Sequence, residues 1–245
     1  MRKLLIICTL FVVGLAVSQR SIHAVHAADT VSSPVVVELF TSQGCSSCPP
    51  AEAFLNDLAK REDVIALEFH VTYWDYIGWK DAFASGKFTD RQKSYVKSLG
   101  GRYAYTPQMV IAGQDHVVGS HRGRVNKKIK TFSGKNADAP SLTLSKQKDG
   151  KLRVQIGAAA AEKAYDILFV TFDKPHRTKV SRGENSGQTL INANVVRSLR
   201  RVSQWTGQAM ETVVEVGEKS GNGGCAIILQ QTGHGPIVAA AQLPF

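Results

Sequence analysis

The chain has 245 residues, of which 43% are hydrophobic and 20% charged, with a formal net charge of +10. That is enough apolar material for one large core or two modest ones, and there is no low-complexity tract or repeat of fixed period, so fibrous and repeat classes are excluded. The positive charge suits anionic surfaces, but no basic motif interleaved with aromatics accompanies it, and no nucleic-acid partner is expected.

Residues 1–27 read as a secretory signal peptide. A short basic start (MRK) precedes the apolar run LLIICTLFVVGLAV at residues 4–17, and Val25–Ala27 puts small residues at the cleavage offsets, so Ala28 is the expected mature start. The run is too short to span a bilayer comfortably, and the expectation is a periplasmic or secreted protein without a stable membrane anchor. Removing residues 1–27 takes away Arg2, Lys3 and Arg20 and no acid, leaving +10 − 3 = +7. Cys8 goes too. Cys45, Cys48 and Cys225 remain in a compartment where disulfides persist, an odd number that leaves at least one thiol unpaired within the monomer.

Residues 34–135 read as an α/β domain with the order β-α-β-α-β-β-α. PVVVELFT (34–41) is a continuous apolar run, as a strand buried on both faces requires. AEAFLNDLAKRE then puts Phe54, Leu55 and Leu58 on one helical stripe, and DVIALEFHVTYW reads as a second buried strand. FTDRQKSYVKSLGG is an expected helix capped by Thr89 or Asp90 and stopped by Gly100. YTPQMVIAGQDHVVGS reads as two strands joined at AGQD, and RGRVNKKIKTF as a last amphipathic helix. The segment NADAP (136–140) is the expected boundary. Beyond it, residues 138–245 read as a smaller all-β, sandwich-like domain. LTLSKQKDGKLRVQIGA forms a hairpin around Lys148–Gly150, and YDILFVTFD, ETVVEVGE, CAIILQQ and PIVAAAQL are further short strands. The basic stretches 122–130 and 197–201 read as solvated faces.

The residues with chemistry to offer begin at GCSSCPP (44–50), on the seam between the first strand and first helix. A cysteine there meets unpaired backbone N–H groups and the positive end of the helix dipole, both of which favour thiolate over thiol. Pro49 and Pro50 fit only a first helical turn, which sets Cys48 at the helix start. Gly44, Ser46 and Ser47 bring no bulky cover, so Cys45 is expected to be outermost and to attack, with Cys48 resolving the mixed disulfide. The same spacing serves half a metal site or a structural staple, and the residues alone leave all three open. TYWDYIGWKD (72–81) is dense in aromatics after a buried strand. Tyr73, Trp74 and Tyr76 are candidates for the wall of a substrate cleft, with Asp75 a polar contact; the alternative is that they plug the seam between domains.

The remaining candidates are weaker. His70, in mid-strand, reads as a buried hydrogen-bonded histidine, His116 and His121 as surface residues, and Cys225 as a buried free thiol. Arg182, Glu184 and Asn185, in the Gly-rich SRGENSGQTL (181–190), are candidates for an inter-domain network or a ligand loop. No phosphate-loop signature and no GxSxG elbow is present.

The strand before the dithiol, the helix after it and the Thr106–Pro107 pair opening a later apolar strand resemble the thioredoxin-like superfamily. The resemblance implies a cis Pro107 lying against the dithiol, with Thr106 and Pro107 offering a backbone edge to substrate. ELFTSQGCSSCPPAE, FHVTYWDYIGWKDAFAS, YTPQMVIAG, RGENSGQTL and NVVRSLRRVSQWTG further resemble the family catalogued as domain of unknown function 1223. These are exported proteins with a thioredoxin-like domain and a β-rich extension. Thr72 departs from the family pattern, in which an acid often precedes YWD and could relay protons to the thiol.

The expectation is an exported thiol–disulfide oxidoreductase that needs no cofactor beyond the Cys45–Cys48 pair and acts on protein thiols or disulfides of its compartment, with a redox partner unspecified. Two alternatives stand beside it. One is a binding module with a permanent Cys45–Cys48 disulfide. The other is a metal protein holding Cu(I) on the two thiolates and a histidine, or zinc on Cys45, Cys48, Cys225 and His234.

Overall fold

The structure, a computed structural model, describes residues 33–134, 138–217 and 221–245. The expected signal peptide lies outside the described residues. The first half follows the expected order: β1 (Val35–Thr41), α1 (Pro49–Leu58), β2 (Val64–His70), α2 (Gly86–Ser98), β3 (Gln108–Ile111), β4 (Asp115–Val118) and α3 (Arg122–Phe132). Its sheet has the order β2-β1-β3-β4, with β1 and β2 parallel and the other pairs antiparallel.

Every residue of β1 and β2 is buried because both faces of this sheet are covered. Alternation sorts the side chains. Val35, Val37 and Leu39 pack under α1 and α3 with Leu55, Leu58, Val125 and Ile129. Val36 and Phe40 face the other way, into a cluster with Phe69, Phe88 and Tyr95. The start of α2 differs from expectation. The helix begins at Gly86 after an extended Ser85, and the Thr89 hydroxyl bonds Thr72 instead of capping. At the other end Gly100 adopts φ +69, as a helix stop requires.

The second half is antiparallel throughout. It comprises β5 (Leu142–Lys146), β6 (Leu152–Ile156), β7 (Tyr165–Phe172), β8 (His176–Lys179), β9 (Thr189–Asn192), β10 (Val196–Trp205), β11 (Met210–Val214), β12 (Gly224–Gln231) and β13 (Ile237–Pro244). One sheet has the order β10-β7-β12-β13, a second β11-β6-β5, and β8–β9 forms a separate hairpin. β8, β9 and β10 were not legible in the sequence, because β8 and β9 are only four residues each and bulges interrupt β10. The stretch 197–201, expected as a solvated face, lies in β10 with its arginines outward.

The four-stranded sheet uses both faces. Ile167, Phe169, Ile227, Leu229 and Trp205 pack against the three-stranded sheet. Leu168, Val170, Ala226 and Ile228 pack into the same cluster as Val36, Phe40 and Phe69 of the first half. The two halves therefore share one continuous core, and the described residues form a single compact unit. A buried ion pair crosses this seam: Arg91 of α2 bonds both carboxylate oxygens of Glu38 on β1, while its guanidinium also reaches Tyr95 and Gln230 of β12.

Candidate functional site

Cys45 and Cys48 are joined by a disulfide, with Cα atoms 5.4 Å apart. Cys48 takes the N-cap position of α1 with Pro49 and Pro50 in its first turn, where a proline's missing N–H costs nothing. The approach to the turn is tight. A Cβ on Gly44 would sit 3.1 Å from the Trp74 side chain, so glycine lets the aromatic segment close on the dithiol. Trp74 Nε1 donates to Thr106 Oγ1 at 2.7 Å, and the Thr106 hydroxyl donates in turn to Cys45 Sγ at 3.3 Å. The Thr106–Pro107 peptide bond is cis. The end of β2, the start of β3 and the start of α1 are thus brought to one point.

Both sulfurs are fully buried, at 0% exposure, which corrects the expectation of an outermost Cys45. Thr106 and Ser47 stand against Cys45 Sγ, and the other half of the chain holds the backbone of the turn. Asn185, in the β8–β9 connection, donates through Nδ2 to the carbonyls of Gln43 (2.9 Å) and Cys45 (3.0 Å), and Ser46 N donates to the Glu184 carboxylate at 3.2 Å. Gln43 is a second tie, since its amide donates to Thr178 of β8 and accepts from Trp79 Nε1. The sequence flagged Glu184 and Asn185 as network candidates, but nothing local revealed that they lie on the CxxC turn.

The aromatic segment divides. Trp74 lies at the dithiol, while Tyr73 turns inward and donates to Gln92. Tyr76, in a short 3-10 turn at Asp75–Ile77, is 82% exposed. Asp75 accepts from the backbone of Asp81.

Behind the dithiol lies a buried acid cluster the sequence did not disclose. Glu52, one helical turn beyond Cys48 and on the same face of α1, is buried and accepts from Thr41 Oγ1 at 2.7 Å. Burial and the neighbouring Glu68 push its carboxyl up to about 8. Glu68 and His70 stand on β2 on the same side of the sheet as Thr41, with His70 Nε2 3.5 Å from Glu68 Oε1. Burial also raises the Glu68 carboxyl. His70 Nδ1 pairs with Asp81 Oδ2 at 2.7 Å. Burial alone would pull the imidazole down, but the charge and hydrogen bond of Asp81, joined by Glu68, outweigh it and raise His70 to about 10. Burial pushes the other way on Asp81, and His70 overrides it, holding that carboxyl low. The cluster at neutral pH is therefore a His70–Asp81 ion pair beside a protonated Glu52. Glu68 Oε2, His70 Nε2 and Asn192 Oδ1 are buried without a hydrogen-bond partner, the atoms an internal water or a shifting proton would engage. The Thr72 side chain, where the family resemblance suggested an acid, bonds the Thr89 hydroxyl.

The other sulfur and histidine candidates lie elsewhere. Cys225 faces the core between the two β-sheets, and burial pushes its thiol up to about 12. His234, in the β12–β13 turn, packs edge-on against Tyr95. Neither joins Cys45 and Cys48, and among the described residues no group of three or more His, Cys, Asp or Glu side chains is arranged to hold a metal ion. His116 bonds the Tyr105 hydroxyl, and His121 is exposed. No helix among the described residues is long and apolar enough to cross a membrane.

Fold and site define a class: a mixed α/β sheet carrying a CxxC disulfide at a helix start, continued by antiparallel sheets that share its core. The chain belongs to the family of proteins of unknown function DUF1223, whose model matches residues 36–230. Its fold is similar to the crystal structure of protein AGR_C_4864 from Agrobacterium tumefaciens, at 31% identity and a TM-score of 0.74 over 87% of this chain and 95% of that one. It is also similar in fold to HBP35 of Porphyromonas gingivalis, at 14% identity and a TM-score of 0.55 over 87% of this chain and 76% of that one. No curated protein matches.

Proposed function

We propose that the protein is an exported, thioredoxin-like thiol–disulfide oxidoreductase. The observation that carries this reading is the Cys45–Cys48 pair at the start of α1, with the Thr106 hydroxyl on Cys45 and the acid Glu52 behind Cys48. The sheet order β2-β1-β3-β4 and the cis Thr106–Pro107 bond support the thioredoxin-like assignment. Protein thiols and disulfides of the export compartment are its proposed partners, with Thr106, Pro107 and Trp74 at the place where a substrate chain meets Cys45.

In the reduced protein the Cys45 thiolate attacks a substrate disulfide, forming a mixed disulfide and expelling one substrate thiolate. Cys48 then gives up its proton to Glu52, in the fraction of molecules whose Glu52 carboxyl is ionised, and attacks Cys45 Sγ, closing the intramolecular disulfide and releasing the second substrate thiolate. In reverse, a donor dithiol opens Cys45–Cys48 and Glu52 returns the proton to Cys48. A carboxyl raised to about 8 exchanges protons near neutral pH, as this role requires. The test is exchange with a model protein disulfide by wild type and by Cys45→Ser/Cys48→Ser. The double variant should be inactive, and retained activity rejects the reading.

One observation favours a second reading, a permanent disulfide in a binding module: both sulfurs are fully covered. A titration against glutathione separates the two. A potential below about −300 mV is that of a structural disulfide, and a higher one is that of a cycling pair.

A further inference from the structure

We propose that the β8–β9 hairpin is a gate latched on the oxidised dithiol by Asn185 and Glu184, and that it releases on reduction to admit macromolecular partners. This rests on the oxidoreductase reading above. The hairpin makes no ladder with either large sheet; Val180, Leu190 and Asn192 anchor its strands by burial and Asn56 of α1 bonds Ile191 and Ala193, while the loop between the strands is held on the CxxC turn by side-chain ties. At its loop, one amide nitrogen of Asn185, a residue 5% exposed, bridges two carbonyls of the CxxC turn, and Glu184 takes the Ser46 N–H. At its far strand Asn192 donates to Glu68 Oε1 at 2.8 Å. The same hairpin therefore touches both the sulfur-bearing turn and the acid cluster behind it. Gly183 hinges the loop at φ +75, and a Cβ there would meet Trp79 Cβ at 3.2 Å.

The latch fits the oxidised turn for two reasons. The disulfide closes the Cys45–Cys48 turn that carries the Cys45 carbonyl, and the Cys45 N–H bond to the Ser42 carbonyl sets Gln43 beside it, so a single amide reaches both carbonyls. Reduction removes that constraint. When a donor dithiol passes two electrons to the Cys45–Cys48 bond, it closes to its own disulfide. Glu52 protonates Cys48, and of the donor's two protons one replenishes Glu52 and one goes to solvent, leaving Cys45 as thiolate. That thiolate and the Glu184 carboxylate then compete for the N–H groups of one turn, and like charges repel. Since the latch binds the oxidised turn better, linkage makes it stabilise the disulfide by the same factor. The covered sulfurs imply a size filter: small reductants reach them through minor fluctuations, while a protein dithiol waits for the hairpin to lift.

The test is amide hydrogen exchange of residues 181–188 in the full chain, oxidised and reduced, with thiol counting to establish the redox state. Exchange should be several-fold faster in the reduced protein. Glu184→Gln keeps an acceptor for Ser46 N but removes the charge, and should shrink that difference. Asn185→Ala should shift the equilibrium with glutathione several-fold toward the dithiol and speed reduction by a protein dithiol more than by a small phosphine. A melting curve for each variant separates gate release from loss of fold, since unfolding accelerates exchange throughout the chain and not at 181–188 alone. Equal exchange in two states whose thiol counts differ overturns the gate and leaves the oxidoreductase reading standing. A disulfide that no reductant opens without unfolding overturns both.

Discussion

Glu52→Gln is the most informative single change, because Glu52 is costly to stability and, on the proposed mechanism, necessary to activity. Its carboxyl stands at about 8 in the folded protein against an ordinary value of 4.5. At pH 7 the unfolded chain ionises it freely, whereas the fold keeps it protonated, about 2.5 pH units above its ordinary value. At about 1.4 kcal/mol per pH unit, that costs roughly 3 kcal/mol. The sign follows: the folded state binds the extra proton between about 4.5 and 8, so this contribution to stability falls as pH rises through that window. Glutamine has the same size, still accepts from Thr41, and carries no proton to lose. The variant should be more stable than wild type, with a gain of about 3 kcal/mol at pH 7 and about 4 kcal/mol at pH 8 in urea unfolding, vanishing near pH 4.5. Its disulfide exchange should slow on the order of 100-fold, the scale of a lost general acid or base, and lose its inflection near pH 8. A variant with wild-type exchange and an unchanged pH profile refutes the proton role. Unchanged stability at pH 8 refutes the premise that the carboxyl is held protonated by burial.

Three further outcomes are expected. Thr106→Val removes the hydroxyl that donates to Cys45 Sγ and accepts from Trp74; the Cys45 thiol pKa should rise by about one unit, read by thiolate absorbance, with a change in Trp74 fluorescence. Arg91→Met leaves Glu38 buried without its cation at the seam between the halves and should cost about 3–5 kcal/mol in urea unfolding, most of it recovered in Arg91→Met/Glu38→Leu. Cys225 should resist a thiol reagent in the native protein and react once unfolded, and Cys225→Ala should leave disulfide exchange unchanged, because that thiol is buried between the β-sheets with its pKa raised to about 12.

Local signals carried the first half well. The apolar run of β1, the prolines after Cys48, the AGQD turn and the Gly100 stop each act on their own neighbours, so order and type of elements up to α3 were legible. The cap of α2 was misread because Thr89 has a tertiary partner in Thr72 that outcompetes the helix terminus. β8 and β9 escaped because HRTK and TLIN are short and their pairing is with each other across a polar loop. His70 was legible as a buried, bonded histidine, but its partner Asp81 lies eleven positions on.

What the sequence by itself determined is the placement of two cysteines at a strand–helix seam, since glycine, prolines and hydrophobic period act within a few residues. What only the tertiary structure decided is their surroundings. Alternation along β2 puts Glu68 and His70 on the α1 side, and packing brings Glu52 to them from a different element. The shared core between halves carries Asn185 some 140 positions along the chain onto the carbonyl of Cys45. Burial, shifted proton affinities and cover over the sulfurs are properties of contacts between distant segments, and no local pattern encodes them.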